Sequence, residues 1–202
     1  MADANELREV SRRAVRARIG EVAARLFAER GFDATTVDEI ADAVGMSQRT
    51  FFRYFASKED AALDDFARES DDFLHRLTAR PADEPEWDSL RRVFDAVVER
   101  HADGELRRRS QLAHRLIKSS PTLLAAYLER ADRLQQRLLE ALLARAAENG
   151  EEADEAVLRA VIGAAFACLQ ATVSRAASAP EATDLGARLD AVMAAVRPAR
   201  YA

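Results

Sequence analysis

Cysteine, proline and glycine are scarce in this 202-residue chain, and their scarcity excludes several classes of protein. The single cysteine, Cys168, excludes an internal disulfide framework and favours a reducing compartment. With only five prolines and seven glycines, a composition rich in Ala, Leu, Arg and Glu predicts helix throughout. We find neither an alternating strand pattern nor a period typical of repeat proteins.

Long apolar runs are also missing from the sequence. No run approaches the roughly 18 apolar residues needed to span a bilayer. The N-terminal stretch "MADANELREVSRRAVRARIG" lacks the apolar segment of a signal peptide. Hydrophobic residues make up 49% of the chain and charged residues 32%, which indicates a folded, soluble protein. We therefore expect a cytoplasmic protein with no membrane partner.

Patterns for catalysis or metal binding are absent as well. The chain has no P-loop, GxGxxG, HExxH or Glu-x-x-His pair, and its three histidines and one cysteine are not clustered at ligand spacing. We expect no catalytic residue, no metal and no cofactor. A helical enzyme is kept only as an alternative.

The formal net charge is −5, but it is unevenly distributed. Residues 1–58 hold ten Lys and Arg against nine Asp and Glu, so the excess of acid lies after residue 58. Five arginines fall within residues 8–18, against the single acid Glu9. This cluster is either a solvated helix face or a basic arm that contacts a polyanion.

Apolar residues recur at helical spacing along most of the chain, which predicts an all-α fold of about nine helices. The predicted helices cover about residues 9–30, 36–44, 48–54, 57–77, 86–101, 104–118, 121–148, 152–177 and 184–196. Three short helices in residues 1–57 and longer helices in residues 58–202 predict two domains, joined by a helix rather than by a flexible linker.

The second and third predicted helices form the most informative local pattern. "TVDE" from Thr36 is a capping box, Gly45 ends the helix, and "VGMS" leads within three residues to a helix that opens at Ser47. Two short helices with a glycine at the turn are typical of a helix-turn-helix, whose second helix enters the DNA major groove. An ordinary helical hairpin has the same spacing and remains the alternative at this point.

The stretch "SQRTFFRYFASKEDAAL" resembles the recognition helix and adjoining segment of the TetR family of bacterial repressors. That family has a Ser/Thr-rich helix start, an aromatic residue, an aromatic or His two residues later, Phe, and Lys-Glu opening the next helix. "AARLFAERGFDATTVDEIADAVGMS" is similar to the family's first two helices. The resemblance covers about residues 12–66. "FFRYFASKED" followed by an Arg/Ala-rich region is also similar to actinobacterial regulators that sense acyl-CoA-like ligands.

The side chains at the start of the third helix fit DNA recognition chemically. Arg49 suits guanine and Gln48 suits adenine in the major groove. Hydroxyls, a lysine and aromatic residues around them are candidates for phosphate or van der Waals contacts. The predicted DNA-binding set is Thr36, Ser47, Gln48, Arg49, Thr50, Phe52, Tyr54 and Lys58.

Within this set Phe52 departs from the family, which often has a tyrosine whose hydroxyl reaches a phosphate. We therefore assign the phosphate role to Tyr54 and treat Phe52 as a van der Waals contact. Phe51 and Phe55 are expected in the core, and Arg53 is either solvated or a contact.

The resemblance implies that residues 58–202 bind a small-molecule effector and form a homodimer. Candidate pocket residues are Phe66, Phe73, Trp87, Phe94, His114, Arg115, Tyr127 and Phe166, although each also fits a plain core or surface role. Candidate dimer residues are Ala164, Ala167, Ala171, Leu185, Leu189, Val192 and Val196. Small residues let helices approach closely, but burial within one subunit is the alternative.

The resemblance thus implies a ligand-responsive regulator, a repressor in the usual case, that binds a two-fold-symmetric DNA operator as a homodimer. A largely apolar or acyl-type effector would release the DNA. The alternative outside this class, besides an enzyme, is a helical adaptor that has lost DNA binding.

Overall fold

The computed structural model of the chain describes residues 2–178 and 184–199, and within those ranges it contains eleven helices and no strand. They are α1 (Ala2–Arg30), α2 (Val37–Val44), α3 (Gln48–Phe51), α4 (Lys58–Ala62), α5 (Asp64–Thr78), α6 (Glu86–Val93), α7 (Asp95–Ala102), α8 (Gly104–Ser119), α9 (Pro121–Glu148), α10 (Glu155–Ser178) and α11 (Leu185–Ala195). The all-α prediction is confirmed.

All nine predicted segments are present, and the higher number comes from two single-residue interruptions. The segment predicted at 57–77 is interrupted at Leu63, and the segment at 86–101 at Phe94. Both interrupting residues are buried, so each break places a large apolar side chain in the interior. The first helix begins at residue 2 rather than 9.

Two compact units make up the fold, and neither is continuous in sequence. The first comprises the chain up to Ala67 together with Ser110–Leu128, and the second comprises Arg68–Arg109 together with the chain from Glu129 onward. Helices α5, α8 and α9 contribute residues to both units. The functional division at residues 57 and 58 stays a prediction.

The core of the first unit is aromatic and extends well beyond the three N-terminal helices. Phe27 and Phe32 lie with their ring centroids 5.2 Å apart, and Phe51 lies 5.7 Å from Phe55. Ile117 and Leu123 are buried in the same cluster. Residues 110–128 therefore help to build the core that supports the helix-turn-helix.

The second unit has its own core, centred on three phenylalanine rings. Phe94 lies 5.2 Å from Phe166 and 5.7 Å from Phe73 between ring centroids, and Trp87 is fully buried. Arg145 of α9 fixes the loop before α6, because its guanidinium donates to the Glu84 carbonyl at 3.2 Å as well as to the Ser89 hydroxyl of α6 at 2.9 Å.

Helix α10 corrects one prediction. Glu155–Arg175 is long and apolar enough to cross a membrane by length and composition, although no such run was expected. Core helices of soluble proteins pass the same test, so this one helix is weak evidence for a membrane. Only 33% of its apolar window is buried in the described chain, which leaves an apolar face uncovered.

Candidate nucleic-acid interface

The turn between α2 and α3 is built by local hydrogen bonds. Gly45 has φ of 81° and ψ of 37°, in the left-handed region that favours glycine. Its N–H donates to the Asp42 carbonyl, and the Met46 N–H donates to the Ala41 carbonyl at 2.9 Å. These two bonds form a Schellman motif, which ends α2 abruptly and turns the chain into α3.

Helix α3 begins with a serine cap that leaves its first side chains free. The Thr50 N–H donates to the Ser47 hydroxyl at 3.2 Å, and the two hydroxyl oxygens lie 2.9 Å apart. Gln48 and Arg49 are exposed, and neither side chain bonds to another described residue. The structure thus brings together, at the start of α3, the two side chains that were predicted to read bases.

Thr36 is the N-cap of α2, and the predicted capping box is confirmed. The Glu39 N–H donates to the Thr36 hydroxyl at 3.2 Å, while the Thr36 N–H donates to the Glu39 carboxylate at 2.8 Å. The bond from the Thr36 backbone lowers the pKa of Glu39, and the hydroxyl lowers it further. A carboxylate, also paired with Arg30, therefore already lies at this helix N-terminus.

The aromatic residues after α3 divide between core and surface. Phe51 and Phe55 are buried, as expected. Phe52 is 48% exposed, with its ring edge-on to Phe51 at 5.6 Å. Tyr54 is half-buried and lies three residues after the end of α3. Phe52 therefore presents a large apolar surface to solvent where a tyrosine was expected.

Lys58 bonds inside the unit. Its Nζ donates to the carbonyl oxygens of Phe32 and Thr35, each at 2.8 Å, and lies 4.2 Å above the Phe32 ring. These contacts hold the α1–α2 loop against the start of α4 and give the lysine a structural role that the sequence did not reveal. An ammonium has three donors, so one N–H stays available to another acceptor.

Arg16, predicted only as part of the basic cluster, also has an internal role. Its Nε donates to the Asp64 carboxylate and its Nη1 to the Tyr54 carbonyl, both at 2.7 Å. Its guanidinium carbon lies 4.3 Å from the centroid of the Phe55 ring. The arginine thus joins α1, the chain just after α3 and the start of α5. Its position three residues before the buried Ile19 gave no signal of this role.

A second link joins the helix-turn-helix to residues 110–128. The Ser120 hydroxyl donates to the Asp33 carboxylate at 2.9 Å and accepts from the Leu123 N–H at 3.2 Å. Ser120 is thereby the N-cap of α9. The bond to Asp33 was not foreseen, because 87 residues separate the pair.

The predicted pocket residues fall into separate groups. Phe66 and Tyr127 are half-buried in the first unit, with ring centroids 5.0 Å apart. Phe73, Trp87 and Phe94 are buried in the second unit, as members of its core. Phe166 is half-buried beside them.

The two polar pocket candidates differ in environment. Arg115 is exposed, whereas the Nε2 atom of His114 is buried without a hydrogen-bond partner among the described residues. Burial lowers the pKa of His114, and the charge of Lys118 lowers it further. His114 is therefore neutral at pH 7 and carries an unused polar atom, which is uncommon in folded proteins.

The dimer candidates also divide. Leu185 and Leu189 are buried within their own unit, so they are not available to a partner chain. Ala167, Ala171 and Val196 are exposed. Ala164 and Val192 are half-buried. The uncovered face of α10 is therefore made of small residues.

A family model described as "Bacterial regulatory proteins, tetR family" matches residues 19–62. The chain is 35% identical over 203 residues to the HTH-type transcriptional regulator TcmR of Streptomyces glaucescens, covering 97% of this chain and 88% of that protein.

Solved structures share the fold. SmeT of Stenotrophomonas maltophilia in complex with triclosan has a TM-score of 0.60 and 22% identity, covering 90% of this chain and 91% of that one. FadR of Thermus thermophilus in complex with lauroyl-CoA has a TM-score of 0.54 and 26% identity, covering 89% and 91% respectively.

Proposed function

The chain belongs to the TetR family of bacterial transcriptional regulators, and from this premise we propose that it is a homodimeric repressor released from its operator by a small effector. The observation that carries the proposal is the start of α3. There Gln48 and Arg49 are exposed and unbonded, next to a helix-turn-helix whose turn and caps are fully formed.

In the proposed complex, α3 enters the major groove and these two side chains read bases. Arginine donates twice to guanine, and glutamine pairs with adenine, each for about 1–3 kcal/mol of discrimination. The exposed Phe52 ring suits a thymine methyl or a sugar. Gln48 and Arg49 lie in the first turn of α3, and recognition helices likewise contact bases through their N-terminal residues.

Phosphate contacts come from the residues around α3. Ser47 and Thr50 place two hydroxyls at its N-terminus. Tyr54 and the third N–H of Lys58 are further donors. Thr36 is the weakest candidate, because its hydroxyl already faces the ionised Glu39 carboxylate. A phosphate there would have to displace Glu39 from its cap.

We propose an effector that is mostly apolar and carries one hydrogen-bonding group. The half-buried Phe66–Tyr127 pair of the first unit is a candidate for apolar contacts. His114 supplies a neutral ring nitrogen without a partner, suited to a hydroxyl or carbonyl of a ligand. The lauroyl-CoA bound to FadR supports an acyl-type ligand as one possibility for this chain.

Homodimerisation is supported by the uncovered apolar face of α10. Exposed Ala167 and Ala171 lie one turn apart, and Ala164 and Val192 are half-buried. A helix this apolar needs cover in water, and a two-fold pairing of α10 and α11 would bury it in a four-helix arrangement. To match successive major grooves, such a dimer would need its two α3 helices about 34 Å apart.

Coupling between effector and DNA would pass through residues 110–128, which form the second sequence segment of the first unit. Ser120 bonds Asp33, and Ile117 and Leu123 pack in the core beneath the helix-turn-helix. A ligand that moves residues 110–128 would therefore move α1–α3. The effector and the operator would then affect each other's affinity reciprocally.

The proposal is tested by comparing Arg49→Ala with Arg25→Ala, a second exposed arginine, on α1. An operator is first selected from a random duplex library with the wild-type protein. The Arg49→Ala variant should bind the selected site about 1–3 kcal/mol more weakly than the wild type does, and it should tolerate a changed base at one position. Fluorescence anisotropy on matched and single-base-changed duplexes measures both effects.

Arg25→Ala should bind the selected site like the wild type. Lys58→Ala should weaken every sequence alike, and thermal melting of this variant checks that the α1–α2 loop still folds. If Arg49→Ala keeps full affinity and full base preference, the proposed docking of α3 is wrong.

A further inference from the structure

A basic cleft lies beside the chain just after α3, and of its lining residues only Tyr54 belongs to the contacts proposed above. It has a volume of about 570 Å³ and is formed by the N-terminal turns of α1 and the chain just after α3. Its lining residues are Leu7, Arg8, Ser11, Arg12, Arg53 and Tyr54. Three guanidinium groups therefore share one concave surface that contains no carboxylate.

The arginines of this cleft are unneutralised, whereas three other arginines of α1 are paired with acids. Arg16 is paired with Asp64 and Arg18 with Glu21, and Arg30 pairs with Glu39. By contrast, the three cleft arginines form no ion pair or hydrogen bond with any described residue. Like charges held together without a counter-ion repel one another, so the cleft favours an anion with several negative groups.

The lining also distinguishes the kind of anion. Guanidinium groups bind phosphate through paired N–H donors, and the Ser11 and Tyr54 hydroxyls add two more donors. Leu7 is the one aliphatic lining residue, and each of the other five carries a guanidinium or hydroxyl group. The open, polar cleft therefore suits the phosphates of a nucleic-acid backbone better than a small drug-like ligand.

The position of the cleft indicates which part of the DNA backbone it contacts. Arg53 and Tyr54 follow α3 directly, so the cleft begins where the base-reading helix ends. From there it extends along α1, whose residues 6–14 are all exposed. We propose that this cleft binds backbone phosphates of the DNA that flanks the sequence read by α3. The inference rests on the proposed function, since it presumes that α3 docks on duplex DNA.

The experiment compares Arg12→Ala with Arg13→Ala. The two residues are adjacent and exposed on α1, and they carry the same charge, but only Arg12 lines the cleft. Two duplexes share the selected operator: one ends at the operator, and the other adds about eight base pairs of mixed sequence on each side. Anisotropy titrations are run from about 50 to 300 mM salt.

The wild type should bind the flanked duplex more tightly than the short one. Arg12→Ala should lose about tenfold on the flanked duplex and lower its salt slope by about one, because one phosphate contact is lost. Its affinity for the short duplex should change little, and Arg13→Ala should resemble the wild type on both. Arg8→Ala should repeat the effect of Arg12→Ala.

Equal losses for Arg12→Ala and Arg13→Ala would overturn the inference, because they would indicate general charge rather than a site. So would a wild type that binds both duplexes equally. Either result leaves the proposed function intact. A wild type that binds neither duplex would overturn the proposed function, and this inference with it.

Discussion

The basic side chains of the first unit have two different roles, and their hydrogen-bond partners distinguish the two. Lys58 and Arg16 donate to carbonyl oxygens and a buried carboxylate, so removing either leaves internal acceptors unpaired. Arg49 and Arg12 have no such partner and keep their donors for another molecule. The role of a basic residue in this region therefore follows from whether its donors already have acceptors within the protein, and not from its charge alone.

His114 offers a test at the residue scale. Its unpartnered Nε2 atom makes the free protein less stable than a chain with an apolar residue of similar size there. His114→Leu should therefore raise the free energy of unfolding by about 1 kcal/mol at pH 7.5 and abolish the response to an effector. Urea unfolding, followed by circular dichroism, measures the first effect.

The difference in unfolding free energy between the wild type and His114→Leu should also depend on pH. The pKa of His114 is lowered on folding, so the unfolded chain binds more protons below about pH 6.5 and stability falls as pH falls. His101, whose pKa is also lowered by burial, is present in both proteins and cancels in the difference. The advantage of leucine should therefore be larger at pH 5.5 than at pH 7.5. An advantage that does not grow would contradict the buried, neutral imidazole.

At the scale of elements, the glycine between α2 and α3 decides the angle of the recognition helix. Gly45 has positive φ and forms the Schellman bonds, whereas Gly20 lies within α1. A Cβ added at either position meets nothing within 4 Å. Backbone conformation alone therefore distinguishes the two sites.

Alanine at these two glycines should have opposite effects on stability. Gly45→Ala should lower the free energy of unfolding by about 1–2 kcal/mol, because a left-handed alanine is strained. Gly20→Ala should raise it by about 0.5–1 kcal/mol, because alanine favours helix. Thermal unfolding of both variants measures the shifts. Two shifts of the same sign would mean that the turn geometry described for Gly45 is wrong.

At the scale of the whole molecule, the main feature is the exposed face of α10, which packing within the described part of one chain does not cover. Most of its apolar window is not buried, although the helix is apolar enough to pass as a membrane span. Since this chain belongs to a family of DNA-binding regulators, a second copy is the cover that we propose.

Ala167→Arg should convert the dimer to a monomer at micromolar concentration, because a charged side chain on a tightly packed helix face cannot be buried. Ala144→Arg, at an exposed alanine of α9, is the matched control and should stay dimeric. Sedimentation velocity measures both masses. The monomer should also bind a full two-fold operator far more weakly than the control. A dimeric Ala167→Arg variant would place the interface elsewhere.

Local features of the fold were predictable from the sequence. The Thr36 capping box, the glycine turn at Gly45 and the serine caps at Ser47 and Ser120 all depend on hydrogen bonds between residues three to five apart. The amphipathic pattern also located every helix. It missed the breaks at Leu63 and Phe94, because both residues fit a continuous apolar stripe equally well.

The sequence alone therefore determined the fold class, the family and the position of the helix-turn-helix, because each is encoded in short-range spacing. Tertiary structure decided which arginines are free, that Leu185 and Leu189 are internal, and that residues 110–128 belong to the first unit. These facts depend on partners such as Asp64 for Arg16 and Asp33 for Ser120, which lie 48 and 87 residues away. Only folding brings such groups within bonding distance, so no local pattern can report them.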